Sequence, residues 1–317
     1  MPWTNVPYRG CSAVVRFNVK HIAIIGAGQM GAGATAVFAQ AMPVYLLNRA
    51  PLSKVERALD EAVSAARTNS LRNNVTVGTY ENDLESCLRE ADLIFETVAE
   101  TVSLKKQYLS VIERYRKPGS IVATGSSGLS LRTLAEGRSA DFRRHFLCVH
   151  LYNPPTRLTA VEIVAGPETD PEVVDYTAHL MEQTFRRVVV SARDTPGYAG
   201  NRIGFKLLNE AAQLATEYGV PMVDYLFASH TGRLLPPLAT IDLIGWDVHK
   251  AIVDNIYASA YDEAHPSFEV PAYMDKLIKA GVLGNKSPQK GGFYKQVGTR
   301  TLALDPKTGD YAEFKRP

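Results

Sequence analysis

HIAIIGAGQMGAGATAVFAQA, residues 21–41, decides how the rest of the chain is read. HIAIIG is an apolar, β-branched run of strand length, and ATAVFAQA continues as an alanine-rich helix. Between them Gly26, Gly28 and Gly31 form a GxGxxG pattern. The first glycine permits a tight turn, the second lets backbone approach a pyrophosphate, and the third lets helix and strand pack closely. Alone the pattern is weak, and a glycine-rich packing turn would explain it equally well. The strand before it and the helix after it favour a dinucleotide loop made of Gly26, Gly28, Gln29, Met30 and Gly31.

Outward from this loop, short apolar runs alternate with helical patterns: VYLLN (44–48), VTVG (75–78), DLIFETV (92–98), IVATG (121–125), HFLCVHL (145–151), VEIV (161–164) and VVVSA (188–192) are separated by helical stretches. That alternation predicts an α/β fold, a Rossmann-type doubly wound parallel sheet. After DTPG (194–197) the texture changes to alanines and leucines spaced by three and four, predicting helices over about 201–229, 247–261 and 272–279. The expected organisation is an N-terminal extension (1–19), a dinucleotide-binding domain (20–193) and a smaller all-helical domain (194–317) ending in a short polar tail, which from Tyr294 could be a strand, a turn at DPKTGD and a polar end.

Composition narrows the partners. The 317 residues, 45% of them hydrophobic, exceed the roughly 250–300 at which single cores stop growing, so two domains are expected. Lys plus Arg total 35 against 33 Asp plus Glu, a net charge of +2 without long single-sign blocks, which argues against a nucleic-acid partner. Cys11, Cys87 and Cys148 show no CxxC spacing and fit a reducing compartment. Residues 1–19 lack the pattern of a secretion signal, and no apolar run approaches the ~20 residues needed to cross a bilayer. A cytoplasmic protein without membrane contact is expected. No histidine makes a metal-ligand spacing with a second His or Cys, so no metal is expected.

The cofactor is less sharply read. An NAD site usually ends its second strand on an acidic residue that binds the adenosine ribose. Here the strand ends on Asn48 and Arg49, with Ser53 and Lys54 nearby, a set that would not repel a 2′-phosphate. The reading leans slightly towards NADP, although Asn48 bonding a ribose beside a solvated Arg49 is an alternative.

The motifs GAGQMGAG (26–33), FETVAE (95–100), HLYNPP (150–155) with Glu162, DTPGYAGNR (194–202), DLIGWD (242–247), GVLGNK (281–286) and GGFY (291–294) resemble those of the L-3-hydroxyacyl-CoA dehydrogenase family over about residues 20–294. The tail is most similar to the segment after the dehydrogenase part of large bacterial fatty-acid oxidation proteins. The resemblance implies NAD as cofactor, an acyl thioester substrate with CoA as carrier, His150 as catalytic base and Glu162 as its partner. It further implies that Ser127 and Asn201 contact substrate oxygens. Glu100, Lys105, Asn153 and Lys286 would line the nicotinamide ribose and phosphate region. Two departures stand out: Gly125-Ser126-Ser127-Gly128 replaces the family's Asn-Thr-Ser-Ser, and β-strand two lacks its acidic residue.

The residue types suit the chemistry. Oxidising a secondary alcohol needs a proton acceptor on the hydroxyl, a task for a neutral imidazole. His150 ends a strand at the carboxyl edge of the sheet, Asn-Pro-Pro turns the chain, and the next strand brings Glu162 back to the ring. A carboxylate on one ring nitrogen would fix the tautomer and stabilise the imidazolium. Ser127 and Asn201 could equally be helix caps, and Glu100 and Lys105 a solvated helix-face pair. The helical half, with LLPPLATIDLIGW (234–246), is expected to cover the acyl chain and pair two subunits as a homodimer. Rivals are a dehydrogenase of another 3-hydroxy acid (a sugar acid, carnitine or a carrier-protein-bound acyl group) and a non-catalytic dinucleotide-binding protein.

Overall fold

The computed structural model of the chain describes residues 17–314 other than Leu234 and Asp262. Cys11 and most of the N-terminal extension lie outside the described residues. Two compact units are present, residues 17–126 with 131–192, and residues 127–130 with 193–314.

The first unit is built on eight strands: β1 (Ile22–Ile25), β2 (Val44–Asn48), β3 (Val75–Thr79), β4 (Leu93–Glu96), β5 (Ile121–Thr124), β6 (Phe146–Leu151), β7 (Ala160–Ala165) and β8 (Val188–Ala192). They form one sheet in the order β3-β2-β1-β4-β5-β6-β7-β8. Strand order reverses at β1, the switch point where doubly wound sheets take their ligands. β1, β4, β5 and β6 are buried throughout, which is why they read as continuous apolar runs. The helices α1 (Gln29–Phe38), α2 (Leu52–Ala66), α3 (Tyr80–Glu90), α4 (Val102–Tyr115), α5 (Leu131–Ala135), α6 (Ala140–Arg144) and α7 (Pro171–His179) complete the unit. In α2 the buried residues Val55, Ala58, Leu59, Ala62 and Val63 recur at three and four, the stripe that turns a charged sequence into a packed helix.

The sheet is not wholly parallel. β7 runs antiparallel to β6, and β8 is parallel to β7. A parallel crossover needs about a dozen residues or more, and the segment 152–159 between β6 and β7 is too short for one.

The second unit contains α8 (Gly200–Tyr218), α9 (Val220–Thr231), α10 (Pro237–Ile244), α11 (Trp246–Ser259) and α12 (Ala272–Lys279). The helical stretch over 201–229 is divided into α8 and α9 at Gly219, whose φ of +79° suits only glycine. Nor is the unit all-helical: β9 (Tyr294–Val297), β10 (Arg300–Leu304) and β11 (Tyr311–Glu313) make an antiparallel sheet where one strand, a turn at DPKTGD and a polar end are expected from sequence. Ala303 and Leu304 are buried in the same core as Trp246, Phe268 and Phe293, and that apolar anchor folds the tail back.

Two buried carboxylates knit this unit together. Asp242 accepts from Trp246 Nε1 at 2.7 Å and from the amides of Phe293 and Tyr294 at 2.8 Å each. Asp224 accepts from the amides of Leu238 and Ala239 and from the Tyr294 hydroxyl. A Cβ on Gly292 would stand 2.0 Å from Asp242 Oδ1. The DLIGWD and GGFY motifs are therefore read as joinery of the helical unit.

Candidate active site

His150 and Glu162 face one another across the β6–β7 pairing as directly registered partners. His150 Nδ1 lies 2.6 Å from Glu162 Oε2, and the two residues are 4% and 0% exposed. A dry carboxylate at that distance holds the proton on Nδ1 and turns Nε2 outward as the acceptor. Tyr152 stands edge-on to the imidazole, ring centroids 5.0 Å apart, and its hydroxyl bonds to Glu162. Burial, then that bond and the carboxylate's charge, push the phenol's pKa well up, so it remains a donor. The sequence reading missed Tyr152 as a partner of Glu162, although an aromatic hydroxyl two residues after His150 returns to the same sheet face.

The phosphate loop occupies the β1–α1 junction. Gly26 has a φ of +111°, and a Cβ there would stand 2.9 Å from Thr97. A Cβ on Gly31 would meet the Gly26 carbonyl oxygen at 1.8 Å. Both glycines are thus demanded by the chain itself. Gly28 differs: it has an ordinary φ of −82°, and a Cβ would meet nothing within 4 Å. No packing requires glycine here, whereas an outside group lying against the backbone would, which fits a pyrophosphate at the N-terminus of α1. Gln29 and Met30 open that helix. Gly33, one turn further on, lies against the prolines after His150: its Cβ would stand 2.9 Å from Pro155 Cδ. Asn153 sits exposed in the turn before them.

Lys105 is placed differently from a solvated helix-face residue. It is 1% exposed, and its ammonium lies 2.9 and 3.1 Å from the two oxygens of Glu96, which is fully buried. Glu96 also accepts from the Val98 amide at 2.7 Å and from the Thr124 hydroxyl at 2.7 Å. Glu100 stands 3.4 Å from the same ammonium and accepts from the Ser126 hydroxyl at 2.6 Å. Lys105 thereby braces the β4–α4 loop from beneath and Glu100 is held at its surface. A carboxylate inside the apolar run DLIFETV was the available signal for Glu96.

The end of β2 holds a further surprise. Asn48 Oδ1 accepts from the Arg49 amide at 2.9 Å, and the Ala50 amide donates to Glu81 Oε2 at 3.1 Å. Glu81 comes from the first turn of α3, so a carboxylate absent from β2 in sequence is present beside it in space.

In the second unit Asn201 sits in the first turn of α8 and donates from Nδ2 to the Ser127 carbonyl at 3.1 Å. It therefore does not cap its own helix, whose cap position is Ala199. The Ser127 side chain is exposed. Lys286 is ion-paired with Asp247 at 2.8 Å and covers Gly245, where a Cβ would stand 2.5 Å from its Cε. Among the described residues no group of three His, Cys, Asp or Glu is placed to hold a metal ion, and no helix is long and apolar enough to cross a membrane.

Comparison with known proteins identifies the family. Residues 21–195 match the NAD-binding domain of 3-hydroxyacyl-CoA dehydrogenase, and residues 197–296 match the C-terminal domain. A probable 3-hydroxyacyl-CoA dehydrogenase of Bacillus subtilis is 34% identical, the alignment covering 93% of this chain and 41% of the relative. One of Deinococcus radiodurans is also 34% identical, covering 88% of this chain and 83% of the relative. The chain thus spans about two-fifths of the first relative's length and most of the second's. Among solved structures, Mycobacterium tuberculosis FadB2 superposes with a TM-score of 0.75 at 26% identity, over 88% of this chain and 99% of that one. The first unit is a nicotinamide-dinucleotide-binding domain, and the chain as a whole belongs to the 3-hydroxyacyl-CoA dehydrogenase family.

Proposed function

We propose that the protein is a 3-hydroxyacyl-CoA dehydrogenase, reversibly oxidising the C3 hydroxyl of an acyl thioester to a ketone in the cytoplasm. The observation that carries the reading is the dry 2.6 Å contact between His150 Nδ1 and Glu162 Oε2, placed at the carboxyl edge of a dinucleotide-binding sheet. His150 Nε2 takes the hydroxyl proton, and Glu162 holds the tautomer and stabilises the imidazolium. Tyr152 steadies Glu162. Ser127 and Asn201 engage the substrate's oxygens, as the family resemblance implies. Gly26, Gly28, Gln29, Met30 and Gly31 receive the pyrophosphate, with Glu100 and Asn153 on the nicotinamide side; Lys105 serves from below by holding Glu100. A bound nicotinamide supplies the hydride acceptor. A pure binding protein has no use for a base with an orienting carboxylate.

The test is the initial rate at 340 nm with acetoacetyl-CoA and reduced nicotinamide dinucleotide, comparing the wild type with His150→Ala. The variant should lose ~10²–10⁴-fold in kcat while retaining dinucleotide binding. An inactive wild type that binds the dinucleotide would move the assignment to another 3-hydroxy acid. We propose in addition that the helical unit pairs two copies, since Ile203, Leu243 and Tyr261 are 69%, 61% and 80% exposed. A monomer in size-exclusion chromatography at micromolar concentration would refute the pairing.

A further inference from the structure

We propose that Glu81 selects an unphosphorylated adenosine ribose and so makes NAD, rather than NADP, the cofactor. The inference rests on the dinucleotide-binding reading above and concerns one corner of that site.

β2 ends at Asn48, paired in register with Thr79 of β3, and α3 begins at the next residue, Tyr80. Glu81 therefore stands beside the end of β2, in the helix turn whose free amides favour a negative charge. In doubly wound dinucleotide folds the end of this strand is where the adenosine ribose is read. A carboxylate there accepts from the 2′-hydroxyl, whereas a 2′-phosphate calls for a nearby cation. In sequence, Asn48 and Arg49 look permissive for the phosphate. In the fold, both main-chain donors that follow Asn48 are already taken, Arg49 N by Asn48 Oδ1 and Ala50 N by Glu81 Oε2.

A phosphate monoester carries about −1.5 to −2 charges at neutral pH. At this position it would have to displace Glu81 from the Ala50 amide or lie beside its charge. Arg49 offsets part of the repulsion but does not free the amide. The neighbouring carboxylate, Asp83, is committed elsewhere: its Oδ2 accepts from the Thr79 amide at 2.7 Å, and a Cβ on Gly78 would meet it at 2.8 Å. Glu81 is exposed and, among the described residues, the bond to the Ala50 amide is the hydrogen bond its side chain makes, so its substitution is expected to leave the fold intact.

The experiment is titration of the full chain with NADH and with NADPH, following nicotinamide fluorescence, for the wild type, Glu81→Gln and Arg49→Ala. The wild type should bind NADH about 10-fold or more tightly than NADPH, the size expected for repulsion between partly hydrated charges a few ångströms apart. Glu81→Gln should tighten NADPH by a similar factor, about 10-fold, while moving NADH by less than ~3-fold. Arg49→Ala should weaken NADPH further and spare NADH. A wild type that binds NADPH as tightly as NADH, or a Glu81→Gln variant with an unchanged ratio, overturns the proposal and leaves the dehydrogenase reading standing. Binding of neither dinucleotide overturns both.

Discussion

Replacing Glu162 by glutamine keeps the shape of the catalytic pair and removes its charge. Oε2 sits 2.6 Å from His150 Nδ1, and both residues are almost without solvent. When the ring takes the substrate's proton, a cation forms about 4 Å from the centre of the carboxylate's charge, which is worth about 4 kcal/mol at an effective dielectric of about 20. A glutamine oxygen can still accept the Nδ1 proton, and that neutral hydrogen bond recovers about 1 kcal/mol. The net loss of about 3 kcal/mol corresponds to a fall in kcat of roughly 100-fold. If the amide settles with its NH₂ towards the ring, Nε2 carries the proton in the resting state and the loss deepens towards ~10⁴-fold. The assay is the 340 nm rate with acetoacetyl-CoA at saturating dinucleotide, with the dinucleotide Kd measured alongside. A variant that folds, binds its dinucleotide and keeps more than a third of wild-type kcat would refute the role given to Glu162.

The glycine loop offers a contrast within six residues: Gly28→Ala should fold normally and lose dinucleotide affinity by 10-fold or more, as about 1.4 kcal/mol or more of lost contact would give. Gly31→Ala should instead lower the thermal midpoint, because its methyl has no room beside the Gly26 carbonyl. Lys105→Met leaves Glu96 buried without its cation and should cost about 3–5 kcal/mol in urea denaturation, with the double variant Glu96→Gln/Lys105→Met recovering much of it. His249 is fully buried, its Nε2 3.2 Å from Asn209 Oδ1, and burial pushes its pKa down to about 3. The unfolded chain therefore takes this proton first, near pH 6.5, and the folded state loses stability as pH falls from there towards 3, by up to about 1.4 kcal/mol per pH unit. Asp242, pushed up to about 6 by burial, acts with the opposite sign, its folded form losing stability as pH rises from 3.8 to 6. The difference in thermal midpoint between His249→Gln and the wild type isolates the histidine, and it should shift in the variant's favour between pH 7 and pH 4; a constant difference would contradict the assignment.

Periodicity and local motif carried most of this architecture. The strand-loop-helix at 21–41 announced the sheet, and HLYNPP followed by Glu162 announced the pair that the β6–β7 register brings together. What escaped was set by neighbours distant in sequence. Tyr45 to Asn48 gives no hint that Glu81, more than 30 residues later, will reach the amide of Ala50. A solvated pair with Glu100 stood as the alternative for Lys105 because Glu100 is its near neighbour in sequence, whereas Glu96 rises from the strand beneath and only the fold brings it to the ammonium. Of the C-terminal sheet only a strand and the turn at DPKTGD were legible, because its strands are short and largely exposed, and only Ala303 and Leu304 of β10 reach the core.

The approach of Gly33 to Pro155 ties two events that enzymology usually scores separately. One helix carries both the phosphate loop and the surface on which the turn after His150 rests. A methyl group added at Gly33 has to be accommodated by moving that turn, so a change made in the nucleotide motif should appear as a slower chemical step with little change in dinucleotide affinity. Along this one stretch a methyl group at Gly33 should therefore register in turnover, and one at Gly28, where nothing of the protein stands in its way, in saturation by dinucleotide.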